Sequence, residues 1–166
     1  MASKACVAVL VAAAAVLAWY CWPSGTQHVA PPQVLQERVV QGNSPEVQSR
    51  AAQDMVKYQP SEEARTSVHE ALKEYRGNDP EVLVPLVQGV LKQRDYKSAP
   101  RLLDLMEHPD PRVRGKAGAA LCEIMGADYG FRAADPPEKR REVLERIRAV
   151  YAKMAPKVER FYSQQQ

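Results

Sequence analysis

The side chains able to do chemistry in this chain are few and widely scattered. Its histidines are His28, His69 and His108, and no two of them have the spacing of metal ligands. Cys6, Cys21 and Cys122 form no pair that local sequence would recommend as a disulfide or a ligand set. His69 lies in a stretch read as helix and is expected at its surface or boundary, while Cys122, just after Leu121, is expected as a small core hydrophobe. No Gly-rich phosphate loop and no Gly-x-Ser-x-Gly elbow occurs. Glu62-Glu63 is a carboxylate pair, but acids in a first helical turn are explained by the helix dipole alone. The reading is a chain with no catalytic residue, no metal and no cofactor.

Basic side chains are the nearest thing to a functional signal. Arg112 and Lys116 open one helical pattern and Lys139, Arg140 and Arg141 open another, and residues 132–160 carry nine Lys or Arg against five Asp or Glu. These five residues are the candidate contacts to an anionic partner surface, whether acidic protein, acidic lipid or polyanionic glycan. Glu138, Glu142 and Glu145 interleave with the bases at spacings that allow i,i+3 and i,i+4 pairs, so much of the charge serves to solvate a helix face. No aromatic residues alternate with the bases as stacking on nucleobases requires, and nucleic acid is not expected as a partner.

The elements that must position these groups are helices. The chain has 166 residues and a net charge of +3, with only two Phe and two Trp, so its core is expected to come from Leu, Val, Ala, Ile, Met and Tyr. Ala5 to Trp22 carries no charge, Pro or Gly, and 18 residues rising about 1.5 Å each span roughly 27 Å, near the apolar thickness of a bilayer. Lys4 favours an N-terminus left inside, and Trp19, Tyr20 and Trp22 suit an interfacial belt. Residues 1–22 are therefore read as a signal anchor or, with Val16-Leu17-Ala18 as a cleavage site, a signal peptide. Either would export the rest of the chain, so the domain is expected to be membrane-anchored on the extracytoplasmic side, or cleaved and secreted or periplasmic. Residues 23–33, with paired Pro31-Pro32, have linker composition, and 163–166 are expected to fray.

Between them, 34–162 reads as all-α. Cap-then-proline starts recur at Ser44-Pro45, Asp79-Pro80 and Asp110-Pro111, spaced by 35 and 31 residues, and Ser61-Glu62-Glu63 and Asp135-Pro136 open two further helices. The expected helices run near Val34 to Gln41, Pro45 to Tyr58, Glu62 to Arg76, Pro80 to Gln93, Ala99 to Glu107, Pro111 to Met125 and Pro136 to about Met154, with Pro85 read as an interruption or kink and Gly126 as a stop. Each stripe is apolar on one side only, so the helices must bury it against one another.

The stretch from Ala99-Pro100-Arg101-Leu102-Leu103 through Asp110-Pro111-Arg112-Val113-Arg114 to Ala117, Ala120 and Leu121 resembles a HEAT repeat: helix, short turn, then Asp-Pro-x-Val-Arg opening a second helix. The segments from Ser44 and from Asp79 resemble it in degraded form. That resemblance implies a short α-solenoid of antiparallel helix pairs with a C-terminal capping helix. It also implies that Arg114 braces neighbouring turns by pairing with an acidic residue. The expected function is a non-enzymatic protein-interaction scaffold, its partner another protein. Two alternatives remain: a HEAT-like ligand-handling or lyase-type enzyme, and self-association through Val143, Ile147, Val150 and Met154 of the last helix.

Overall fold

The computed structural model describes residues 29–163, which form helices joined by short turns with no strand among them. They are α1 (Pro32–Gln41), α2 (Pro45–Met55), α3 (Glu62–Glu74), α4 (Pro80–Gln93), α5 (Ala99–Leu105), α6 (Pro111–Met125) and α7 (Pro137–Ser163), with a 3-10 turn at Tyr96–Ser98. The fold class is all-α. The apolar run read as anchor or signal, and most of the linker, lie outside the described residues. Among the described residues no helix is long and apolar enough to cross a membrane.

The helix starts use the chemistry their sequences offer. The Ser61 Oγ accepts from the Ala64 N–H at 3.1 Å, Asp79 Oδ1 from the Glu81 N–H at 2.9 Å, and Asp110 Oδ1 from the Arg112 N–H at 2.7 Å. Pro45, Pro80 and Pro111 each take the first helical position, where a missing N–H costs nothing. α6 stops on Gly126, whose φ of 72° is the left-handed conformation that glycine adopts freely. α4 stops in the same manner on Arg94, at φ 50°, with the Asp95 N–H returning to the Val90 carbonyl.

Several ends differ from expectation. α2 stops at Met55 rather than Tyr58, because the Lys57 N–H turns to the Asp54 carbonyl and tightens the last turn. α3 stops at Glu74 rather than Arg76, because Tyr75 turns extended and buries its ring. α5 stops at Leu105 rather than Glu107, where the Glu107 N–H turns to the Asp104 carbonyl. α7 continues to Ser163, well past Met154, through Pro156.

Pro85 does not interrupt α4; it lies inside it. A proline there cannot donate to the Glu81 carbonyl four residues back. That carbonyl instead accepts from the Ser49 hydroxyl of α2, at 3.2 Å. A local defect is thus converted into a bond between helices.

Neighbours follow a regular order. α1 packs on α2, α3 on α4 and α5 on α6; α4 also lies between α2 and α6, and α1 beside α3. Ser49 meets Glu81 and Arg112 meets Glu81 near the starts of α2, α4 and α6, while Lys92 near the end of α4 donates to the Val56 carbonyl just past α2. These three helices therefore run side by side in one direction. One apolar core joins them, with Leu35, Met55, Leu72, Leu83, Leu86, Leu102, Met106, Leu121, Leu144 and Ile147 fully buried. Each such side chain stabilises the fold by about 1.5 to 3 kcal/mol.

The 126–136 segment is pinned to α6. Phe131 packs over Gly118, where an added Cβ would meet the ring at 2.7 Å. Arg114 donates to the Ala133 carbonyl at 3.0 Å and to the His108 and Pro109 carbonyls at 2.8 and 2.7 Å. The expected acidic partner is replaced by backbone oxygens on two separate turns, which a planar guanidinium with five N–H donors is shaped to span. Cys122, expected in the core, is only half-buried.

Candidate functional site

The side-by-side helices α2, α4 and α6 turn one common face outward. Between α4 and α6 it dips into an open groove of about 490 Å³ floored by Val84, Pro85, Gly115 and Ala119. Small residues and a proline make this floor: Gly115 contributes no side chain, and a Cβ built there would touch only the Ala133 methyl, at 3.6 Å. A partner backbone or small apolar side chain can therefore approach closely. A second open depression, of about 800 Å³, is lined by Val29 and by Glu46, Ser49, Arg50 and Gln53 of α2.

Arg112 and Lys116, two of the five basic candidates, stand on the rim of the α4–α6 groove. Arg112 is committed within the fold, with its guanidinium 2.9 Å from Glu81 and 3.2 Å from Asp110. The hydrogen bond from Arg112, seconded by the backbone N–H groups of the helix start, holds the Asp110 carboxyl below its ordinary value, and Asp110 and Glu81 together keep Arg112 more firmly protonated. Lys116 is exposed and makes no ion pair among the described residues, so it is the charge this groove can offer. The other three candidates do not join it. Lys139 pairs with Asp135 at 3.1 Å, Arg140 donates to the Asp135 carbonyl at 2.6 Å, and Arg141 is exposed on α7.

Of the repeat-motif residues, Val113, Ala117, Ala120 and Leu121 are buried, Asp110 caps α6 and Pro111 occupies its first position. Val143 and Ile147, offered for self-pairing of the last helix, are already buried within their own chain. Val150 and Met154 are half-buried.

On α3 stands a polar cluster that local sequence does not reveal. Asp95, 1% exposed, accepts from the Lys97 N–H at 3.1 Å, from the Ser98 hydroxyl, and from His69 Nδ1 at 2.9 Å; Ser98 Oγ also lies 3.0 Å from that nitrogen. The three residue types are those of a hydrolase triad, but the arrangement is not. Ser98 is buried and gives its proton directly to Asp95, and both partners crowd one imidazole nitrogen instead of lying on opposite sides of the ring. Asp95 two residues before Lys97 is a visible cap signal; its meeting with His69, 26 residues away, is tertiary. Comparison with protein-family models, curated proteins and solved structures found no match.

Proposed function

We propose that this chain is a non-enzymatic protein-interaction module: a short HEAT-like α-solenoid, exported and tethered by its N-terminal apolar segment, that docks another protein along the outward face of α2, α4 and α6. The observation that carries the reading is the α4–α6 groove, where a floor of Val84, Pro85, Gly115 and Ala119 meets the unpaired Lys116. The neighbour order, each pair stacked on the next with the second helices running the same way, supports the solenoid. The apolar length of 5–22 supports the tether.

The test is a photo-crosslinking residue at Ala119 in the full-length protein within its native envelope, with Asp104 on α5 as control. The reading requires a discrete protein adduct from position 119 that is absent from position 104. Equal labelling from both positions, or none from position 119, would overturn it.

A further inference from the structure

The C-terminal half of α7 carries three cations whose charged neighbours along the helix are one another. Lys153, Lys157 and Arg160 stand at i, i+4 and i+7, so they share one side of the helix, and all three are exposed. No Asp or Glu stands three or four positions from any of them. Among the described residues Lys153 and Lys157 make no ion pair, and Arg160 donates to the Pro156 carbonyl of its own helix at 3.4 Å. Like charges at this spacing repel and destabilise the helix that holds them. The helix dipole favours a cation in the last turn, which accounts for Arg160 but not for Lys153, about three turns from the end.

The cluster ends a longer line. Lys139, Arg146, Lys153 and Arg160 recur every seven residues and so drift by only about 20° per step, whereas Glu138, Glu145 and Glu159 each stand one residue earlier, about 100° away round the helix. Lys139 and Arg146 are balanced by Asp135 at 3.1 Å and Glu142 at 3.9 Å. Unbalanced positive charge therefore gathers over the last part of the line, about 10 Å from Lys153 to Arg160. The apolar side of α7 is turned inward: Val143, Leu144 and Ile147 are buried, and Tyr151 and Val158 line a cleft against His69 and Pro100.

That cleft sets the C-terminal half of α7 beside α3. The start of α1, where the linker ends, also meets α3, with the Gln33 amide donating to Glu63 at 2.7 Å. Glu63 and His69 are about 9 Å apart along the helix, and residues 23–31, if extended, reach roughly 30 Å. A bilayer holding residues 5–22 thus lies within reach of the cluster.

We propose that Lys153, Lys157 and Arg160 dock the domain onto the acidic phospholipid headgroups of the bilayer that tethers it. The choice of lipid among anions rests on the tether reading; the surface itself is separate from the α4–α6 groove.

The test uses the full-length protein with a fluorescent amino acid at Ala149, an exposed residue one turn before Lys153, and vesicles whose headgroups carry an energy-transfer acceptor. One set is phosphatidylcholine alone, and the other contains about 30 mol% phosphatidylglycerol. Energy transfer should rise on the second set only and collapse in about 0.5 M NaCl, where surface charges are screened. Lys153→Gln with Lys157→Gln should lower the ratio of docked to undocked domain by about 25-fold, roughly fivefold per charge, while Lys153→Arg with Lys157→Arg keeps it. Equal transfer on the two compositions, or a double Gln variant that still docks, would overturn the proposal. Flotation with neutral vesicles reports the tether separately. If the protein does not float there, the tether reading fails, and salt-sensitive flotation with the anionic vesicles would support the cluster while its absence would overturn it. Binding of dextran sulfate through Lys153 and Lys157 with no response to phosphatidylglycerol would overturn the lipid assignment.

Discussion

Removing the Ser49 hydroxyl should destabilise the domain only while Pro85 is present. In the native chain the Glu81 carbonyl, deprived of an intrahelical donor by Pro85, accepts from Ser49 Oγ at 3.2 Å. Ser49→Ala leaves it without that partner, and the net loss of one such hydrogen bond is about 1 kcal/mol. For a domain of this size that lowers Tm by roughly 3–5 °C. Ser49 also receives the Gln53 amide at 3.3 Å, but Gln53 is exposed and exchanges that bond for water at little cost. With Pro85→Ala the residue 85 N–H can reach the Glu81 carbonyl, so Ser49→Ala in that background should cost only about 0.3 kcal/mol. Urea unfolding of the four proteins closes a double-mutant cycle, with an expected coupling of about 0.7 kcal/mol. Additivity within about 0.3 kcal/mol would refute the claim that Ser49 repairs the proline defect.

Other substitutions probe separate parts of the molecule. Gly118→Ala should lose about 1 to 2 kcal/mol in chemical denaturation, because the Cβ would meet Phe131 at 2.7 Å and overpacking outweighs the roughly 1 kcal/mol gain in helix propensity. Gly115→Ala, whose Cβ would make only an ordinary contact with the Ala133 methyl at 3.6 Å, should gain about 0.5 to 1 kcal/mol by the same measurement, yet it raises the groove floor and should reduce crosslinking from position 119. Arg114→Lys should destabilise by about 1 to 2 kcal/mol, since one ammonium cannot serve the carbonyls of Ala133, His108 and Pro109 together; an unchanged Tm would contradict the brace. The Asp110 carboxyl is lowered in the folded state, so the stability it adds is present above its unfolded value near 3.8 and is lost as pH falls through the folded value. Asp110→Asn should therefore flatten the acid limb of a plot of Tm against pH, and an unaltered limb would count against that linkage.

The parts of the fold legible in the sequence were those decided locally. Ser44-Pro45, Ser61, Asp79-Pro80 and Asp110-Pro111 announce helix starts because a cap and a first-turn proline act within four residues. Gly126 announces a stop for a similar reason. The features that escaped depend on a partner far along the chain. Pro85 reads as a break until Ser49 of another helix supplies the donor. Arg114 suggested an acidic partner, but the 126–136 segment folds back and brings carbonyls instead. His69 looked like an ordinary surface residue because Asp95 and Ser98 reach it only after α3 has packed beside the 3-10 turn. Within the groove, Arg112 and Lys116 were visible as charges, but their division into one paired and one unpaired base required the position of Glu81.

Hydrogen–deuterium exchange of the full-length protein, alone and with the partner captured through position 119, tests the docking face most directly. New protection is expected in peptides spanning Glu81–Pro85 and Arg112–Ala119, with no change in α1, α3 or α5. Protection confined to those three helices would place the partner on the opposite side and end the case for the α4–α6 groove.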